Sequence, residues 1–284
     1  MTDVGYSLIM SSLLQVTYLL HQKLREAKSS SHIVLLVRND IFTRLPLSDA
    51  GKMRDDFGID LDWRMLTGQP ERSSLFKLVN SKAPSLLGHQ TLDVVSTYFP
   101  KEVALGGRHG PGHRQSIWQY LLNMTRHTPR DLLQLLEHVR RFAAEDSKAF
   151  DNRGLLRQDA IREGVVRYAT RHFVVAVQNE LVGRELNDPE LVTRAISTLR
   201  NLPSATFTAQ QFNEECFGSS SQEDHERTKD LLGWLFFAGA IGNERQGRER
   251  YMVFYHRRDQ SEVYLSGTLR IHNALAYAQS TPFS

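Results

Sequence analysis

The sequence predicts a mainly helical chain with a short α/β segment near its N-terminal end and a helix-and-hairpin unit at its C-terminal end. Three observations carry this. Most of the chain spaces its apolar residues three and four apart, as one face of a helix requires. One continuous, β-branched run, His32-Ile33-Val34-Leu35-Leu36-Val37, reads as a strand buried on both faces. Three helical stretches, two short strand-like runs and a last short helix close the chain. Its 284 residues, 40% hydrophobic and 24% charged, allow two or three compact units.

Residues 6–28 read as a helix, with Leu13, Leu14, Leu20 and Leu24 among its apolar positions and Lys23, Arg25 and Lys28 at its basic end. Ser11, Ser12, Gln15 and Thr17 interrupt the run, so it is too polar to span a bilayer. Asp3 stands where a signal peptide carries positive charge, and the expectation is a cytoplasmic chain without membrane contact. The single cysteine, Cys216, excludes an internal disulfide and reads as a small core residue beside Phe212 and Phe217.

Ser29-Ser30-Ser31 ends the first helix and the apolar run follows. Arg38, Asn39 and Asp40 come next, at the strand end where open α/β sheets place ligands. They equally suit a plain strand terminus, with Asp40 capping the turn toward Phe42. A short helix capped by Ser48 is expected, then helices near 73–81, 91–98, 115–126, 128–145 and 156–184. In the last of these Ile161, Val165, Tyr168, His172, Val175 and Leu181 fall on one face. The middle of the chain therefore reads as a helical bundle.

The most informative stretch is His127-Thr128-Pro129-Arg130-Asp131-Leu132-Leu133. Thr128 reads as the N-cap, Pro129 as the first helical residue and Asp131 as the acid of a capping box. Arg130 thus sits in a first turn, where free N–H groups and the helix dipole favour an anion. A phosphate satisfies both the N–H groups and the guanidinium. The alternative is a surface ion pair with Glu137. Residues 108–141 hold six Arg and four His against Asp131 and Glu137, a locally basic segment in a chain of net charge +3.

Other constellations are weak. No Gly-x-x-x-x-Gly-Lys-Ser/Thr occurs, since Gly51-Lys52 is followed by Met53. The glycine-rich stretch 106–112 lacks the lysine and hydroxyl, and His109 and His113 beside it lack the partners of a metal site. Asp55, Asp56, Asp60 and Asp62 lack calcium-loop spacing and read as a solvated face. No metal site is expected.

The C-terminal unit starts at Asp188-Pro189-Glu190. Helices are expected at 190–201, after Thr208 with Gln211 completing a capping box, and at 222–238. Strands are expected at 250–256 and 262–265, with a last helix at 271–278. Three helices and a hairpin are the order of a winged helix, a helix-turn-helix variant. Its third helix carries Arg227 and Lys229, and Arg245, Arg248 and Arg250 lie in the wing, so these five are the candidates for nucleic-acid contact. Glu223, Asp224 and Glu226 in the same helix oppose that use, and packing against another domain is the other reading.

Several segments together resemble the C-terminal half of bacterial P-loop ATPases of the STAND/AAA+-like group. They are His32 through Phe42, Leu61-Asp62-Trp63, Trp118-Gln119-Tyr120-Leu121-Leu122, Thr125 through Leu133, and Ile271-His272-Asn273-Ala274-Leu275. The resemblance implies a remnant of the α/β ATPase core at 1–70, a helical lid at 71–187 and a winged helix at 188–284. It implies that Arg38, with Asn39 and Asp40, is sensor-like and that Arg130 is the second sensor arginine. That family's phosphate loop and acidic metal-binding strand have no counterpart here. The resemblance therefore implies a regulatory or interaction module that does not hydrolyse ATP alone. ATP and Mg²⁺ would bind only with a complementary P-loop partner, since sensors act on charge that other residues hold. A protein partner or self-association is expected. A nucleic-acid-binding winged helix is the other class of function.

Overall fold

The computed structural model describes residues 3–42, 45–61, 63, 69–87, 92–105, 114–181, 190–218, 221–246, 250–255 and 262–279. The chain is mainly helical with two small antiparallel sheets. It divides into two compact units, Met1–Asp62 and Trp63–Ser284. No helix among the described residues is long and apolar enough to cross a membrane.

The first unit is built on α1 (Asp3–Glu26), with α2 (Asn39–Phe42) and α3 (Ala50–Phe57). Phe57 at the end of α3 docks on the C-terminal half of α1. The Tyr18 ring meets it edge-on at 5.4 Å, and the Arg25 guanidinium lies 4.6 Å over it. The Tyr18 hydroxyl donates to Asp56 at 3.3 Å, and Arg54 pairs with Asp60. Two expectations fail here. The N-cap of α3 is Asp49 in the left-handed region (φ 64°), not Ser48, and no side chain caps the helix. Among the described residues the run 32–37 pairs with no strand, and Val34 and Leu36 are 79% and 87% exposed. A strand needs neighbours for its backbone groups. Here the His21 ring supplies a substitute, with Nε2 2.9 Å from the Ile33 carbonyl and 3.2 Å from its amide nitrogen.

The second unit holds one continuous core running from Leu75 and Phe76 to Leu275 and Ala276. Its helices are α4 (Ser74–Leu87), α5 (Val94–Tyr98), α6 (Ile117–Asn123), α7 (Pro129–Glu145), α8 (Gln158–Tyr168) and α9 (Val174–Leu181). The strands β1 (Glu102–Ala104) and β2 (Arg114–Ser116) pair before α6. Helix α7 buries Leu132, Leu135 and Val139 against α8. The approach is close because position 164 is glycine: a Cβ there would stand 2.5 Å from the Val139 Cα.

Between α8 and α9 the helix widens into a π segment, Ala169–Phe173. One extra residue in a turn rotates everything after it. Ile161, Val165 and Tyr168 face the core before the segment, and Phe173, Val177 and Leu181 after it. Val175, expected on that face, is 47% exposed instead.

The rest of the unit runs α10 (Leu191–Asn201), β3 (Thr206–Phe207), α11 (Ala209–Phe217), α12 (Gln222–Phe237), β4 (Ile241–Gln246), β5 (Arg250–Val253), β6 (Thr268–Ile271) and α13 (Asn273–Gln279). The four strands lie in the order β3-β6-β4-β5, every neighbouring pair antiparallel. The capping box of Thr208 and Gln211 forms as expected. The strand expected at 262–265 does not. The Asn243 amide donates to the Tyr264 carbonyl and its oxygen accepts from the Tyr264 N–H, both at 2.8 Å, so a side chain occupies the bonds a ladder would use. The pairing falls instead to β4, unanticipated, and to β6.

Candidate functional site

The start of α7 forms largely as its residues dictate. Thr128 is the N-cap and accepts from the Asp131 N–H at 3.1 Å, and Pro129 opens the helix. His127, with φ 54°, turns the chain between α6 and α7 in a left-handed conformation uncommon for a non-glycine residue. Its N–H donates to the Thr125 hydroxyl at 3.3 Å. Arg130 is exposed, and the ion pair with Glu137 is not made. Glu137 is held by Arg140 and Arg141 at 2.8 and 2.7 Å, and bonds from Arg140 and then Arg141 lower its pKa to about 2.

Asp131 departs from its expected role. Its carboxylate does not return to the N-cap as a capping box requires. It is fully buried and accepts the Arg126 N–H at 3.2 Å, Arg126 Nε at 2.9 Å and Nη2 at 3.3 Å. A fourth donor is His172 Nε2 at 3.3 Å, carried by the π segment. Burial alone would raise the Asp131 pKa. The bonds from His172 and Arg126, with the Arg126 charge, hold it well below the carboxylate range.

Aromatic rings extend this cluster. Tyr168 stacks on His172 at 5.5 Å and faces His138 at 6.4 Å. Burial pushes the Tyr168 phenol well up, and the Asp131 charge adds to it. His138 is pushed down by burial and by the nearby charges of Arg141, Arg171 and His172. On the other side Phe173 stacks on His272 at 4.5 Å, with the Arg126 guanidinium 5.8 Å over the same ring. His272 caps α13: its Nδ1 accepts the Ala274 N–H at 3.2 Å, so Nε2 donates to the Thr125 carbonyl, also at 3.2 Å. The turn before α7 is thus bonded to the π segment through Asp131 and to the base of α13 through Thr125.

The other sequence candidates lie apart from this cluster in the chain. Arg38, Asn39 and Asp40 belong to the first unit, at and just before α2, and not to a strand end. The Arg227 guanidinium is held by Glu223 at 2.8 Å on α12, and Lys229 is exposed on the same helix. Arg245 pairs with Tyr251, and Gln246 with Arg250, across the β4–β5 hairpin. Arg248, His109, His113, Asp62 and the stretch 106–112 lie outside the described residues. No group of three or more His, Cys, Asp or Glu among the described residues is placed to hold a metal ion. His172 escaped the sequence reading as a partner of Asp131 because it is 41 residues away, and only the packing of α8 and the π segment on α7 joins them.

No protein-family model matches the chain, and no curated protein or solved structure shows significant similarity to it.

Proposed function

We propose that this chain is the sensor, lid and winged-helix part of an ATPase-like switch, a regulatory or interaction module that does not hydrolyse ATP by itself. One observation carries the reading. Arg130 stands exposed in the first turn of α7, while its neighbour Asp131 is bonded to Arg126 and His172. A phosphate drawn to the Arg130 side chain and to that residue's own N–H pulls on a turn already tied to the π segment and to α13. That is the relay the reading needs: local charge at one end, helix displacement at the other. Arg38, with Asn39 and Asp40, contributes the other sensor by resemblance. The order α10, β3, α11, α12 and then β4–β6 supports the winged-helix part of the reading. A complementary P-loop partner supplies the cradle for ATP and Mg²⁺.

The test is amide hydrogen exchange with Mg²⁺ and an excess of tripolyphosphate, alongside titration with a fluorescent ATP analogue. Slower exchange is expected at the start of α7 and also in α13, both lost in Arg130→Ala, with no turnover of ATP. An unchanged α13, or tight binding and hydrolysis of ATP by the chain alone, counts against it.

A nucleic-acid-binding winged helix is favoured by one feature, the pairing of β4 with β5, which carries Arg245 and Arg250 on neighbouring strands. It calls for binding that weakens steeply with salt, with a shallower slope once Arg245, Arg248 and Arg250 are replaced by alanine. The acidic first turn of α12, with Glu223 and Asp224, opposes it.

A further inference from the structure

Helix α1 ends in a turn that caps itself with backbone and leaves the nearby polar side chains for other use. Lys28 takes the left-handed conformation, φ 51°, that glycine usually supplies at a helix end. Its N–H donates to the Arg25 carbonyl at 3.0 Å, and the Ser29 N–H donates to the Leu24 carbonyl at 2.9 Å. The chain then returns over this end, because His21 Nε2 bonds the backbone of Ile33. The result is a cleft of about 300 Å³ between the end of α1, the segment 29–32 and Phe57 of α3. That volume is at the low end of the range that small-molecule sites occupy.

The lining selects an anion. Among the described residues no Asp or Glu lines the cleft. The Arg25 guanidinium lies 4.6 Å over the Phe57 ring, so its face is covered and the N–H groups at its edge remain for acceptors. Among the described residues Arg25 makes no ion pair. The Ser29 hydroxyl oxygen accepts the Ser31 N–H at 3.2 Å, which leaves the hydroxyl hydrogen to donate. The Ser31 hydroxyl and the His32 ring, 6.3 Å from that of His21, add further polar wall. We infer that this cleft binds a small phosphomonoester, its phosphoryl oxygens taken by Arg25, Ser29 and Ser31 and its organic part set against Phe57. Donors on three separate side chains suit three terminal oxygens, whereas a planar carboxylate needs the guanidinium fork alone. The inference uses no residue of the nucleotide reading and does not depend on it.

Titration of the full chain with phenyl phosphate, followed by NMR of the His21 and His32 rings, tests it. An Arg130→Ala background removes the phosphate contact of the nucleotide reading, so the two fail separately. Saturable shifts at both rings are expected in the millimolar range. Arg25→Gln should weaken the binding about tenfold, the loss of one charge-assisted fork. Ser31→Glu, which places a carboxylate in the cleft, should abolish it. Ser31 is exposed and outside any helix, so this variant keeps the test open should Arg25→Gln loosen α3 from α1. Shifts that never saturate overturn the proposal, as does an affinity unchanged by Ser31→Glu. Benzoate binding as tightly as phenyl phosphate overturns the phosphoryl assignment in favour of a carboxylate.

Discussion

Asp131 and Arg130 are adjacent and opposite in character: one carboxylate buried under four donors, one guanidinium in solvent. Their substitutions should separate accordingly. Asp131→Asn leaves Arg126 buried without its counter-charge, and a loss of about 3 kcal/mol is expected by urea denaturation at neutral pH. Because folding lowers the Asp131 pKa, its contribution is complete above the unfolded value of about 4 and fades as pH falls toward the folded one. The gap between wild type and Asp131→Asn should therefore narrow between pH 4 and pH 2. A gap that widens there contradicts the burial argument. Arg130→Ala should change stability by no more than about 0.5 kcal/mol, which keeps its use as a functional probe clean. Glu137→Gln should also cost under about 1 kcal/mol, since that ion pair is largely exposed and screened.

At the scale of elements, the contact of α7 with α8 rests on the missing side chain of Gly164. Alanine is the better helix former by about 1 kcal/mol, yet its Cβ would press on the Val139 backbone. Separating two packed helices outweighs that gain, and Gly164→Ala should lower stability by about 2 kcal/mol in a denaturant titration. An increase in stability would mean that α7 and α8 stand farther apart than described. The π segment does the complementary work. It sets His172 against Asp131 while turning Phe173 and Val177 into the core, two demands that an unbroken α-helix meets less well.

Over the whole molecule the two units differ in how much they bury. The second has a continuous core of large apolar side chains, and among the described residues the first buries the apolar side chains of Leu45 and Met53. Opening free energy follows buried contact. Hydrogen exchange should therefore be fastest at residues 29–61 and slowest in α7, α8 and β6. Uniform protection across both units would refute the asymmetry.

Local chemistry was legible from the residues in order. The helical character of the chain, the N-cap at Thr128, the proline start of α7, the capping box at Thr208 and the burial of Cys216 follow from side chains acting on backbone a few positions away. Features that depend on distant partners were not. The β-branched run at 32–37 reads as a strand, yet pairing requires neighbours that only the fold supplies or withholds. Asn243 displaced an expected strand by bonding Tyr264, and one extra residue in the π segment moved the buried stripe away from Val175. The sequence by itself determined the starts of α7 and α11, because a cap is an energy of neighbouring groups. Only the tertiary structure decided what Asp131 holds, because its partner His172 arrives through the packing of another helix.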